Sequence, residues 1–217
     1  ADVGRVYRNE GTIRQSSFEG FFGGYGRFGP RGGGLVYINE GTISESYVNA
    51  DVERDMPYVI AGFAVENHGI IENSFTMGDV FGMNDSAYSA VYLNTGVISK
   101  SYSVGKGYRA FAYENKGSIE NSYALKTRYF VEQSDNGKLV NGTNYHTSQE
   151  ATMGTMYMRN EYSGFDFDSV WYIKEGFSTP MLRGLPNMPF PASVNLKLEG
   201  NGSLENRIRA KILEDAI

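Results

Sequence analysis

Short apolar stretches recur along the chain, and each pair of them brackets the same polar punctuation. Leu35-Val36-Tyr37-Ile38, Phe63-Ala64-Val65, Val91-Tyr92-Leu93 and Phe111-Ala112-Tyr113 come before it. Ser46-Tyr47-Val48, Ser74-Phe75-Thr76-Met77, Ser101-Tyr102-Ser103-Val104 and Ser122-Tyr123-Ala124-Leu125 come after it. Runs this short, rich in β-branched and aromatic residues and bounded by turn formers, predict strands. The punctuation is Asn-x-Gly-x-Ile, at Asn9–Ile13, Asn39–Ile43, Asn67–Ile71, Asn94–Ile98 and Asn115–Ile119, with a worn sixth copy at Asp135–Leu139. Asn-x-Gly is turn chemistry: glycine tolerates a positive φ, and asparagine bonds its own backbone. The Ile then opens the next strand.

The copies begin at 9, 39, 67, 94, 115 and 135, so they lie 30, 28, 27, 21 and 20 residues apart. Self-similarity at this period predicts a solenoid, in which each unit buries its apolar side only by stacking on its neighbours. The shortest intervals give a bare coil of roughly 20 residues, two or three strands separated by corners. The longer ones carry insertions at Glu19–Gly33, Asp51–Ile60 and Asp79–Ser89, which a solenoid gathers on one side. Stacking turns every position of the frame into a ladder. Ile13, Ile43, Ile71, Ile98 and Ile119, ending in Leu139, are expected to run through the core, and the five Asn to form a structural ladder. Alternation along a strand sends Tyr47, Phe75, Tyr102 and Tyr123 outward if Ser46 and Val48 face in, and inward if a corner falls elsewhere. The small residues flanking each aromatic favour an exposed stripe.

The pattern breaks after residue 143. Met153, Met156 and Met158 suggest a packed cover or short helix, and Gly164–Ile173 alternates like strands, with Phe165, Phe167 and Trp171 placed to plug an open end of the stack. Four prolines between 180 and 191 read as an extended linker, Val194–Leu198 as a strand, and Ser203 as the cap of a helix from Leu204. The expected organisation is an all-β chain: residues 1–143 as a parallel β-solenoid of about six coils, 144–183 as its closing segment, and 184–217 as an appendage with a short helix.

Composition narrows the function. Net charge is −5 and no basic patch develops, so neither nucleic acid nor an anionic membrane is an expected partner. No apolar run reaches the roughly 18 residues of a membrane helix. Cysteine is absent, which removes disulfides and thiolate zinc sites and suits a chain that crosses an oxidising space unfolded. The chain opens inside a repeat and shows no signal peptide, so it is expected to be a piece of a longer protein.

Candidate chemistry is sparse. His68 occupies the variable slot of Asn-x-Gly and His146 a polar stretch; neither belongs to a zinc-peptidase motif, and no nucleophile elbow occurs. No cofactor or metal is expected. Paired carboxylates can divide acid and base roles, hold calcium, or solvate an edge; Asp166 with Asp168, and Asp51, Glu53 and Asp55, are the pairs to test. Gly20–Gly34 sets Phe21, Phe22, Tyr25, Arg27, Phe28 and Arg31 on a glycine-rich backbone. It lacks the residues of a phosphate loop, whereas aromatics and Arg are the residue types of contact hot spots. Asn84, Asn141 and Asn201 begin glycosylation-type triplets.

The frame Asn-x-Gly-x-Ile-x-x-Ser-aromatic, over about Val6 to Gly142, resembles the GLUG repeat of large secreted bacterial proteins: exoproteins and adhesins of two-partner secretion systems, and regions of secreted immunoglobulin A peptidases. Gly164-Phe165-Asp166-Phe167 with Val170-Trp171 and Pro180-Met181-Leu182 looks like the segment that closes such arrays. The chain departs from that repeat at Tyr37, Val65, Tyr92 and Tyr113, where the family opening ends in Gly. The resemblance implies a right-handed parallel β-helix, secretion to the bacterial surface through an outer-membrane partner, and no shared catalytic residue. The expected function is a non-enzymatic adhesin region that binds a glycan or protein of a host or neighbouring cell. Its expected surface is the Tyr47, Phe75, Tyr102, Tyr123 stripe and the Phe21–Arg31 loop. The alternatives are a polysaccharide-degrading enzyme on the same scaffold, and an accessory region of a secreted peptidase.

Overall fold

A computed structural model describes residues 6–23, 32–54, 60–78, 80–82, 87–88, 90–104, 111–124, 145–147 and 155–185. The repeated frame folds as a parallel β-solenoid. Strands Val6–Asn9, Val36–Asn39, Ala64–Asn67, Val91–Asn94 and Ala112–Asn115 stack in that order as the first sheet. Thr12–Arg14, Thr42–Ser44, Ile70–Glu72, Val97–Ser99 and Ser118–Glu120 stack as the second. The third contains Ser17–Gly23, Tyr47–Arg54, Phe75–Met77 with Val80–Gly82, Tyr102–Ser103, Ser122–Ala124 and Tyr145–Thr147. Five coils are described, plus one strand of a sixth. The worn copy at 135–139 and the appendage from 186 onward, with its expected strand and helix, lie outside the described residues.

Register matches the sequence frame position by position. Ile13 pairs with Ile43, Ile43 with Ile71, Ile71 with Ile98 and Ile98 with Ile119, all in parallel. This file, with Val36, Ala64, Val91 and Val48, forms the apolar interior. In the second to fifth coils the residue before the first-sheet strand completes it: Leu35 precedes Val36, Phe63 precedes Ala64, Ala90 precedes Val91 and Phe111 precedes Ala112, so the bulkiest residue, Phe, is followed by the smallest, Ala. Large beside small lets the third and fifth coils fill the same cross-section at crystal-like density.

Three further ladders hold the corners. Asn9 Nδ2 donates to Asn39 Oδ1 at 2.8 Å, and the chain continues through Asn67, Asn94 and Asn115 at 2.7 Å per step. Asn39, Asn67 and Asn94 each donate to the next coil and accept from the one before, so the asparagine file ties the coils together as expected of a structural ladder. The Gly two residues later answers to a different demand from the one the turn motif suggests. The glycines at 11, 41, 69, 96 and 117 are not among the positive-φ residues. A Cβ on Gly41, Gly69, Gly96 or Gly117 would instead lie 2.0 Å from the carbonyl oxygen of the equivalent glycine one coil earlier. Successive coils touch here, and the same carbonyls accept amides of the next coil, as in Ile70 N to Gly41 O at 2.9 Å.

Positive φ appears one corner further on, at Gln15, Glu45, Asn73, Lys100 and Asn121, with φ between 44° and 48°. Only two of the five are Asn, the type that tolerates this region best after Gly. Each is followed by the frame's serine. Ser46 Oγ donates to the Ser44 carbonyl at 2.7 Å and accepts the Ser16 amide at 3.1 Å, and Ser74, Ser101 and Ser122 repeat both bonds. One hydroxyl therefore closes its own corner and ties it to the coil before.

Two measurements follow from these ladders. Gly69→Ala is expected to lower unfolding free energy by about 3 kcal/mol or more, since backbone must move to admit the methyl. Gly11→Ala, with nothing within 4 Å of its Cβ, should change it by less than about 0.5 kcal/mol. Lys100→Asn should add about 0.5–1 kcal/mol by relieving the left-handed backbone. Urea denaturation of the three variants checks the order.

Candidate binding surface: an aromatic ladder, its strap and a strand ledge

Side chains of the third sheet point alternately into and out of the coil. Val48 belongs to the interior, whereas Tyr47, Phe75, Tyr102 and Tyr123 belong to a second apolar cluster on the other side of that sheet. Parallel register brings them one above the next. Tyr47 stacks on Phe75 at 5.2 Å and 8°, and Phe75 on Tyr102 at 4.9 Å and 2°. The first coil breaks the file. Ser17 pairs with Tyr47 and Phe18 with Val48, so the one-residue shift seen in the sequence turns Phe18 inward. Glu19 accepts the Tyr47 hydroxyl proton instead.

The ladder faces outward from the coil but is not an exposed stripe, and this corrects the sequence expectation. Exposure is 4% at Tyr47, 0% at Phe75 and Tyr102, and 8% at Tyr123. The cover is the segment 155–185, which runs along the side of the stack and does not plug its end. At the fifth coil, Tyr162 and Phe165 meet the Tyr123 ring edge-on at 5.0 and 5.7 Å. The Ser163 amide donates to the Tyr123 hydroxyl at 2.7 Å. Further up, Trp171 packs on Tyr102 and Phe75, and its Nε1 donates to Asn73 Oδ1 at 3.3 Å. The Tyr102 hydroxyl donates to the Pro180 carbonyl. Gly184 reaches the first coil, where a Cβ would lie 2.3 Å from Gln15 Nε2. The left-handed corner ladder thus lines the path of the strap, with Gln15, Asn73 and Asn121 all in contact with it. The clue in the sequence was complementarity: an aromatic row with no partner, and a downstream apolar segment with no sheet of its own.

The strap is itself held by specific bonds. Trp171–Tyr172 pairs antiparallel with Met181–Leu182. Arg183 donates to the carbonyls of Trp171 and Phe167 at 2.9 and 3.0 Å. Asp166 lies in a turn, not on a strand. Its Oδ1 accepts the Asp168 and Ser169 amides at 2.9 Å each, and its Oδ2 accepts the Ser169 hydroxyl. Those bonds, the Ser169 hydroxyl first, hold the Asp166 carboxyl below the usual carboxylate range. A group so engaged serves as a turn cap. Asp168 points into solvent, 3.7 Å from Arg159.

The other candidates are spread over the surface. His68 is exposed at its corner and bonds Thr95 Oγ1 at 2.6 Å and Glu66 Oε2 at 3.1 Å. Among the described residues no group of three His, Cys, Asp or Glu could hold a metal ion, and no helix is long and apolar enough to cross a membrane. Phe21 and Phe22 lie on strand Ser17–Gly23, paired in backbone register with Asp51 and Val52. That strand, Tyr47–Arg54 and Val80–Gly82 extend the third sheet into a ledge on the first three coils. Gly32–Gly33, Ile60–Ala61 and Ala87–Tyr88 close the insertions as a small parallel sheet. Tyr25, Arg27, Phe28, Arg31, Asp55, Asn84, Asn141 and Asn201 lie outside the described residues. No family model matches this chain, and neither does any curated protein or solved structure.

Burial also sets an alkaline limit. It raises the hydroxyl pKa of Tyr102 and Tyr162 well above the ordinary value, raises Tyr123, and with the Glu19 carboxylate pushes Tyr47 up to about 12. The folded chain then holds protons that the unfolded chain releases near pH 10. The part of the stability that these hydroxyls contribute is expected to be flat up to about pH 10 and to be lost as pH rises from there through about 12 and beyond. Melting temperature against pH checks this, and Tyr102→Phe should shallow the fall. Trp171→Ala should cost about 3–5 kcal/mol and open the ladder, read as increased quenching of tyrosine fluorescence by acrylamide.

Proposed function

We propose that this chain is a non-enzymatic scaffold and binding region of a secreted bacterial surface protein of the adhesin or exoprotein type, related to the GLUG-repeat proteins that its frame resembles. Its partner is a glycan or protein on a host or neighbouring cell, and the parent protein reaches the surface through an outer-membrane secretion partner. The observation that carries this reading is the ledge. Five coils share one hydrogen-bonded frame, while three of them add strands, stacked in register, that the frame does not need. A scaffold that repeats its core and elaborates one side is built to present that side. With the aromatic ladder under the strap, the contact surface moves to the ledge and to the Phe21–Arg31 segment it carries.

The resemblance supplies the cellular setting, and the absence of cysteine is compatible with it. For the enzymatic alternative, Asp166 is engaged in capping a turn, and Asp51 and Glu53 lie on the ledge strand.

Removing the whole Glu19–Gly33 insertion would disturb the fold as well as the surface. Its first part pairs with Asn49–Glu53, Glu19 holds Tyr47, and Gly32–Gly33 pairs with Ile60–Ala61. Deleting residues 24–31 alone is the sharper test. The deletion should leave the melting temperature within about 3 °C and weaken binding to glycan arrays and to fixed epithelial or bacterial cells at least about tenfold, the scale of losing a hot-spot group. Unchanged binding by the deletion variant, or release of reducing sugar from a polysaccharide panel by the intact chain, would overturn the proposal.

A further inference from the structure

We infer that the outer face of the second sheet is a weak self-association face, which docks on the same face of a second copy of this chain with the coil order reversed. The inference does not depend on the ledge or on what the ledge binds.

Side chains alternate along each second-sheet strand. The Ile file points into the core, so its two neighbours on each strand point outward. Parallel register gathers them into two rows. One is Thr12, Thr42, Ile70, Val97 and Ser118; beside it run Arg14, Ser44, Glu72, Ser99 and Glu120. The first row is uncharged and mostly β-branched, and Ile70 at its centre is 41% exposed. Thr12, Arg14 and Glu120 are exposed as well. Neither apolar cluster takes in a member of either row.

Charge identifies the occupant. From the first described coil to the fifth, the charged groups along the second row and the corner after it read Arg14, Glu45, Glu72, Lys100 and Glu120. Arg14 Nε and Nη2 donate to Glu45 Oε1 at 3.0 and 2.7 Å, so these two form one unit at the first two coils. Taken from the other end, the signs are opposite everywhere but at the centre: Glu120 stands for Arg14 and Lys100 for Glu45. A two-fold axis parallel to the strands and over the third coil therefore sets Arg14 against Glu120 of the second copy, and Glu45 against its Lys100, twice each. Lys100 also attracts the Asp166 carboxylate of the strap, so the match of Arg14 with Glu120 is the cleaner one to test. The same axis lays Ile70 on its own counterpart, Thr42 on Val97 and Thr12 on Ser118. Glu72 alone meets its like. An axis along the stack would instead put Ile70 against Glu72 and Arg14 against Thr12, and would match no charges.

The size of the face sets the strength. Five strands about 4.8 Å apart, each three residues long, offer roughly 240 Å² per copy. A stable complex buries roughly 800 Å² per partner, so a single contact here is weak. It becomes effective where many copies share a surface and their contacts add.

Sedimentation equilibrium of the whole chain is expected to show monomer and dimer with a dissociation constant of about 0.1–1 mM. Ile70→Asp should weaken association at least about tenfold. Glu72→Gln removes the like-charge contact and should tighten it at least about twofold. Arg14→Glu alone and Glu120→Lys alone each oppose like charges and should weaken it at least about threefold. Mixed in equal amounts, those two chains regain opposite charges at both ends, and the mixture should associate within about twofold of the unmodified chain. All four positions lie on the surface, and melting temperatures should stay within about 4 °C. A chain that remains monomeric to about 2 mM, association that survives Ile70→Asp, or a mixture no tighter than its components would overturn the inference.

Discussion

The distance between coils is set where backbone meets backbone. At the Asn-x-Gly corner, equivalent glycines approach so closely that a side chain on one would overlap the carbonyl of the next. That approach is held by main-chain amides and by an unbroken line of asparagine amides. The rest of the molecule inherits this spacing. The Ile file packs because its members arrive at strand separation, and the aromatic rings stack because the same separation matches a comfortable ring-to-ring distance. A buried asparagine is costly unless its amide is fully engaged. Here each interior one donates to its neighbour and accepts from the one before, so the polar line inside the corner raises specificity for register without leaving an orphan group.

The side strap solves the problem that a stack of short strands creates. Coils held only to their neighbours separate one at a time, as in any quasi-linear repeat. A segment that touches the fifth coil at Tyr123, the fourth at Tyr102, the third at Asn73 and Phe75 and the first at Gln15 also couples coils that are not neighbours, such as the first and the fifth. Loss of one coil then disturbs contacts along the whole flank, so the array gains the cooperativity of a globular domain.

The solenoid was legible because its signal is redundant. Five copies of Asn-x-Gly-x-Ile fixed the order of strands, the parallel register and the apolar file, and the displaced Phe18 was visible as an aromatic one place late. Two local readings failed for physical reasons. Glycine in the turn motif is read as conformational freedom, but its role here is contact between coils 28 or 27 residues apart in sequence, which no window of a few residues contains. The outward aromatics were placed on the correct side of their sheet, yet alternation reports only direction; whether something covers that side depends on a segment tens of residues away. Asp166 and Asp168 alternated like strand residues, but a carboxylate two and three residues before free amides makes a turn cap in competition with any strand.

Coil length falls from 30 residues at the first interface to 21 at the fourth while the asparagine-to-asparagine bond changes from 2.8 to 2.7 Å. The nine residues between those lengths (30 − 21) leave the asparagine spacing undisturbed because they enter along the third-sheet strand, which they lengthen, and leave before the next coil begins. A lineage carrying such an architecture can change the parts of those segments that lie outside the paired ledge strands by small insertions and deletions, because the Asn-x-Gly frame makes no bond to them. Change on that side of the stack is thereby partly separated from preservation of how the coils stack.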